Sequence, residues 1–273
     1  MATTAVSLAR SLQSRRVWIG AALFAFAWAG VAYAALPLAW RHYEHQRALD
    51  GAPMLTRTPL GIPGDPLNFG LVGSEADIVC AFEAAGWSPA DPVTLATSLK
   101  IVGSVVLDRA YPDAPVSSLL YKGKREDLAF QKAEGKSADR RHHVRLWKAL
   151  DAGDEGRPVW LGAASFDRGV GLSHYTFQVT HHIDPDLDAE RDKLGADLSD
   201  AGVVDEVYFV TGIGVTVNGR NGGGDRYFTD GEVLMARLAP DCGSGRSATP
   251  KALPNPPLVE GKNAVWRAIR KWL

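Results

Sequence analysis

Two cysteines in 273 residues are too few for a disulfide-dense scaffold or a four-cysteine zinc site. Neither charge is in surplus: 30 Lys and Arg face 31 Asp and Glu, a formal net charge of −1. Phosphate backbones are bound through a local excess of cations, so no nucleic-acid partner is expected. The chain is also poor in the features of disorder, since 46% of it is hydrophobic and 22% charged, a balance that supports a core. The length permits one large domain or two small ones.

The most informative gap is near the N-terminus. Between Val17 and Trp40 (VWIGAALFAFAWAGVAYAALPLAW) no side chain is charged. As a helix this run rises about 36 Å, enough for a hydrocarbon core of about 30 Å. Trp18 and Trp40 mark its ends, where aromatic rings favour headgroup depth. Pro37 is expected to end or kink the helix. Ala32-Tyr33-Ala34 supplies the small-residue pattern of a cleavable signal, and Ser14-Arg15-Arg16 resembles part of a twin-arginine signal. The apolar run continues past that cut site, which favours a retained signal anchor. Arg10, Arg15 and Arg16 precede the span while Arg41, Arg47 and Arg57 follow it, so the charge asymmetry is small. The short basic N-terminus points to N-inside, single-pass insertion, with the bulk outside the cytoplasm. The lipid bilayer is thus the first expected partner.

The expected division is a basic segment over 1–16, an anchor over 17–40, a linker over 41–70, a globular domain over 71–239 and a flexible tail over 240–273. Residues 51–70 (GAPMLTRTPLGIPGDPLNFG) are rich in Pro and Gly and read as extended linker without strand or helix. Ser74 and Asp77 resemble a capping box ahead of Ile78, Val79, Phe82 and Ala85 at helical spacing, with Gly86 as C-cap. A second helix is expected from Thr94 to about Leu107. The period then changes to 2, giving strands at 117–121, 128–131, 143–150, 158–166, 172–183, 203–210 and 232–238. In Leu172–Ile183 one parity is polar and the other largely apolar, as in a half-buried strand. Asp184-Pro185 reads as N-cap and N1 of a third helix ending at Gly202. The fold class is α+β: a mostly antiparallel sheet packed with about three helices, behind an N-terminal transmembrane helix. In the tail, Val265, Trp266, Ile269, Trp272 and Leu273 share a helical face beside Arg267, Arg270 and Lys271. Such a helix suits either an anionic membrane surface or docking on its own domain.

Five of the seven histidines fall between 142 and 182. Imidazole among carboxylates suits a divalent metal or acid–base work. On a straight strand His174 and His182 would be roughly 26 Å apart and could not share an ion. His181 and His182 point to opposite faces of such a strand. A metal would therefore need His182 with groups from a neighbouring strand, and His143 and Asp167 are the candidates; the same three residues are the candidate catalytic set. Arg141 and Arg145 are candidates for holding an anion. The incidental reading, in which the histidines fill polar sheet positions and Asp184, Asp186 and Asp188 cap a helix, stands beside these. The glycine-rich stretch from Gly212 to Gly224, with Arg220 and Arg226, lacks the Gly-Lys-Ser/Thr ending of a P-loop and the helix of a Rossmann fingerprint, so it reads as a hairpin loop or lid. Ser165 and Ser173 lie in no nucleophile elbow. Cys80 reads as core, Cys242 lies in the tail, and their pairing is open.

The blocks PLNFGLVGSEADIVCAFEAAGW (66–87), SADRRHHVRLWK (137–148), VWLGAASFDRGVG (159–171), THHIDPDLDAERD (180–192) and NGRNGGGDRYFTDGE (218–232) together resemble the LssY carboxy-terminal domain family of bacterial envelope proteins, over about residues 55–240. Members occur behind a membrane helix or fused to multi-span modules, including phosphatidic-acid-phosphatase-like ones. That association implies lipid-phosphate chemistry only by proximity. The chain has no Pro-Ser-Gly-His block, so the phosphatase's activity and residues do not carry over. Three functions are expected from this point: a domain binding an envelope protein or lipid-phosphate ligand, a metal-assisted hydrolase of phosphoesterase type, and a structural accessory of a membrane complex.

Overall fold

The computed structural model describes residues 2–90, 118–135, 140–210, 218–243 and 249–273. The chain divides into two units, Met1–Glu44 and His45–Leu273. The first is helical: α1 (Ala2–Gly30), a π-turn over Val31–Ala35, and α2 (Leu36–Arg41). Pro37 has no amide to donate, and its ring would clash with the carbonyl four residues back in a regular helix. The wider turn before it, closed by Leu36 N–H donating to Val31 O, removes that conflict and lets the helix continue. Residues 15–41 form one helix long and apolar enough to cross a membrane, with a mean hydropathy of 1.8.

The second unit is α+β. Its strands are β1 (Leu55–Arg57), β2 (Pro63–Pro66), β3 (Phe69–Val72), β4 (Ser88–Pro89), β5 (Leu120–Tyr121), β6 (Lys124–Arg125), β7 (Leu128–Ala133), β8 (Arg141–Leu150), β9 (Val159–Leu172), β10 (Val179–Ile183), β11 (Val204–Val210), β12 (Asn218–Arg220), β13 (Arg226–Phe228), β14 (Val233–Leu238) and β15 (Lys251–Ala252). Its helices are α3 (Glu75–Ala84), α4 (Leu187–Asp200) and α5 (Pro257–Ile269). The main sheet has nine strands in the order β15-β11-β14-β3-β9-β8-β7-β4, with β10 on β9. All its pairs are antiparallel except β3–β14 and β11–β15.

Both faces of this sheet are covered. On one, Ile78 and Phe82 of α3 and Leu194 and Leu198 of α4 pack on Phe69, Leu71, Phe130, Val144, Leu146 and Trp160. On the other, Leu49, Met54, Leu67, Leu119 and Tyr121 cover Trp147, Val159, Leu161, Val233 and Met235. A strand between two covered faces is buried along its whole length, as β8 is from Arg141 to Trp147, and its two parities go to different surroundings. The capping box forms as expected, Asp77 N donating to Ser74 Oγ and Ser74 N to Asp77 Oδ2. Cys80 on α3 is disulfide-bonded to Cys242 after β14, with Cα atoms 5.8 Å apart.

Several expectations change. Residues 51–70 belong to the folded body: they form β1, β2 and the start of β3, with Thr56, Asp65, Leu67 and Asn68 buried. Gly64 is there for close approach, since a Cβ would lie 2.5 Å from Thr56 Oγ1. Leu172–Ile183 is not one strand. β9 ends at Leu172, and the chain turns at 173–178, where the Ser173 hydroxyl accepts from Tyr175 N and Thr176 N and the Ser173 carbonyl from Phe177 N. A serine that satisfies backbone donors in this way competes with the ladder. The supposed apolar parity is exposed at Tyr175, Phe177 and Val179. The third helix starts two residues late, Asp186 being the N-cap with its Oδ1 accepting from Ala189 N. The expected helix from Thr94 to Leu107 lies outside the described residues, as do Ser117, Gly212 and Gly214. The C-terminal helix docks on its own domain: Trp266 and Asn263 are buried, and Trp266 Nε1 donates to Asp188 Oδ2 at 2.6 Å. Val265, Ile269, Trp272 and Leu273 remain exposed.

Candidate functional site

Arg141, His143 and Arg145 alternate along β8, so all three project from one face; His142 and Val144 between them turn to the helix side. The neighbouring strands supply the partners. Asp167 stands opposite Arg141 and Ser165 opposite His143 on β9, and Gln131 stands opposite His143 on β7. Arg141, His143, Arg145 and Asp167 form the floor of a cleft of about 370 Å³, whose lining also includes Asp65, Ser118, Ser173, Thr180, His181, Gly222 and Gly223. Arg141, His143, Arg145 and Asp167 are each at most 5% exposed.

Burying guanidinium groups costs several kcal/mol each unless carboxylates and hydrogen bonds compensate. Arg141 Nε donates to Asp167 Oδ2 at 3.0 Å, and its NH1 to Gln131 Oε1 at 2.8 Å. Arg145 NH1 donates to Asp65 Oδ2 at 3.2 Å and contacts His143 Nε2 at 3.1 Å. The two sides of the imidazole thus face different partners, Nε2 the Arg145 guanidinium and Nδ1 the Asp167 carboxylate. That Nδ1 lies 3.3 Å from Asp167 Oδ2 without an aligned hydrogen bond. Burial pushes the Asp167 carboxyl up, but the neighbouring His143, His181 and Arg141 pull harder, and the net shift is far below the usual carboxylate range. Asp167 is therefore a fixed anion that balances the floor.

Ser165 Oγ lies 3.0 Å from His143 Nε2, which gives the order Ser165–His143–Asp167. A nucleophile must reach its substrate, and Ser165 lies buried outside the cleft lining.

The structure brings four of the five expected site residues together: Arg141, His143, Arg145 and Asp167. It separates His182 from them. His181 faces the cleft, whereas His182 turns to the other side of β10 and its Nδ1 meets Asp225 Oδ1 at 2.7 Å. Because the chain turns at 173–178, His174 returns to the same place: its Nε2 is 3.6 Å from Asp225 Oδ1, and the two imidazole centroids are 5.5 Å apart. One ligand atom from each of His174, His182 and Asp225 fits within 4.8 Å of the others, the one such metal-capable group among the described residues. His142, also in the histidine-rich stretch, faces α4 and contacts Glu190 Oε2 at 2.7 Å.

Asp65 and Asp225 are missed from sequence, and His181 is read there only as pointing opposite to His182. Asp65 lay in the supposed linker. Asp225 follows three glycines in the hairpin turn between β12 and β13, where Gly224 N donates to Asn221 O; only the fold places that turn against β10. The straight-strand distance keeps His174 from His182, and the turn at 173–178 is what brings the two rings to 5.5 Å.

A family model described as LssY C-terminus matches residues 49–233. No curated protein and no solved structure matches the chain.

Proposed function

The chain belongs to the LssY C-terminus family, and from that premise we propose that its body is a membrane-tethered receptor for an anionic, phosphate-type group of the cell envelope. The observation that carries this reading is the shared face of Arg141, His143 and Arg145, two guanidinium groups and an imidazole forming the buried floor of an open cleft. Planar guanidinium forks match phosphate and carboxylate oxygens. The hydroxyls of Ser118, Ser173 and Thr180 and the Gly222–Gly223 backbone lie around the same space and supply neutral hydrogen-bonding groups.

Residues 15–41 form a helix of membrane-spanning length, which supports the tether, and the Cys80–Cys242 disulfide suits an oxidising compartment, which supports a body outside the cytoplasm. The hydrolase alternative rested on His143, His182 and Asp167 around one ion; with His182 facing away from the cleft, that ligand set has no support. The exposed residues of α5 are the part of the surface that the accessory reading would use.

The test is binding of inorganic phosphate, a soluble phosphate monoester and phosphatidic-acid vesicles to the full chain in detergent or nanodiscs. Saturable binding that weakens at least tenfold in both Arg141→Lys and Arg145→Lys supports the reading, because lysine keeps the charge and loses the fork. Vesicle binding without monoester binding assigns the anion to a lipid. Binding of none of the three, or equal binding by the variants, overturns the proposal.

A further inference from the structure

We propose that His174, His182 and Asp225 hold a divalent transition-metal ion of the zinc class at the turn between β9 and β10. The inference uses none of the residues on the cleft floor and stands independently of the anion reading.

Three features carry it. The first is convergence. Two imidazoles and a carboxylate from separate segments place ligand atoms within 4.8 Å of one another. In a tetrahedral shell with bonds of about 2.0–2.1 Å, donor atoms lie about 3.3 Å apart. Small rotations of the side chains reach that spacing, and His174, with its side chain 60% exposed, has room to make them. A hydrogen-bonded His182–Asp225 pair would account for two of the residues. It leaves unexplained why His174 Nε2 turns to the same carboxylate oxygen at 3.6 Å, beyond hydrogen-bond range.

The second feature is support behind the ligands. Asp225 Oδ2 accepts from Ile183 N at 3.2 Å, leaving Oδ1 toward both rings. Asn221 Oδ1 accepts from Asp225 N and Gly223 N at 2.9 and 3.0 Å. His174 N donates to Gly223 O at 2.9 Å. The two loops are thus fastened to each other through backbone before any ion arrives, and such outer contacts orient metal ligands. The third feature is space. A Cβ at Gly171 would lie 2.3 Å from His182 Nε2, so only glycine leaves this ring its place. Histidine and carboxylate ligation suits zinc and neighbouring metals, and three protein ligands leave a coordination position for water or an anion.

The test uses the full-length, tag-free chain stripped with chelator and titrated with zinc alone. One equivalent is expected to bind. His174→Ala, His182→Ala and Asp225→Asn should each weaken binding at least tenfold, whereas His42→Ala should not. Cobalt should give visible d–d absorption in the parent chain and lose it in these three variants. His174 is exposed, so its variant should keep the parent melting temperature in chelator, which separates ligand loss from misfolding. Gly171→Ala should weaken zinc with all three ligands present. Absence of zinc binding, or zinc retained undiminished by both histidine variants, overturns the proposal.

Discussion

Breaking the Cys80–Cys242 bridge should destabilise the folded body far more than an ordinary surface change. The two cysteines are 162 residues apart in sequence, so the bond closes a very long loop in the unfolded chain. The chain-entropy relation gives about 5 kcal/mol for such a loop, and measured losses for native bridges run about 2–5 kcal/mol. The bond also ties α3 to the segment after β14, where Cys242 packs against the helix-side core. For a body of this size each kcal/mol moves the melting temperature by about 2–4 °C, which converts to a fall of roughly 4–20 °C. The assay is thermal unfolding of the full chain before and after reduction, with the free thiols counted by alkylation and mass spectrometry. A Cys80→Ala/Cys242→Ala variant should show the same fall without reductant. If the fully reduced chain melted within about 1 °C of the oxidised one, the bridge would hold nothing that packing does not already hold, and its support for an oxidising compartment would go with it.

Asp167 should set an acid limit on stability. Its folded-state pKa is depressed, so the stability it contributes is fully present above the unfolded value near 3.9 and is lost as pH falls below that value toward the folded one. Urea midpoints measured between pH 6 and pH 2.5 should fall in the parent below about pH 4, and less steeply in Asp167→Asn; parallel curves would refute the assignment. Trp266→Ala should remove a largely buried indole that donates to Asp188 Oδ2, at a cost of about 3 kcal/mol. Hydrogen exchange over Pro257–Ile269 should rise while the central sheet stays protected, and unchanged exchange in that helix would show that its docking does not depend on this side chain.

What could be read from sequence followed the strength of local signals. The apolar run, the Ser74 capping box and most of the period-2 strands rest on residues adjacent in the chain and have counterparts in the structure; the strand expected over 172–183 is broken by the turn at 173–178. Arg141, His143 and Arg145 are each candidates from sequence, but the expected strand begins at 143, and their common face emerges only from the longer β8, Arg141–Leu150. The strap over residues 51–70 was not legible. Proline and glycine there signal breaks, yet Pro63 and Pro66 sit at the ends of β2, where a missing amide is tolerated, and Gly64 fits beneath Thr56. The separation of His181 from His182 was legible, whereas the return of His174 was not, because it depends on a serine ending a strand whose alternation continues beyond it. Asp225 was hidden for a different reason. Its partners are supplied by tertiary contact between β10 and the β12–β13 turn, and nothing in the spacing of residues 174, 182 and 225 encodes that contact.

The two-sided burial of β8 has a consequence for how such a chain can diversify. One added or deleted residue within the strand would exchange its sides, sending guanidiniums among α3 and α4 and hydrocarbon into the cleft. Insertions are therefore barred from this plank, and each side can vary only by substitution in place. Freedom lies instead in side chains around the opening, at Pro59–Leu60 and Thr176–Gln178, which can change without disturbing the floor or the His174–His182–Asp225 group. Related chains should accordingly keep the base of the cavity nearly constant and express their differences in preferred ligand at its mouth.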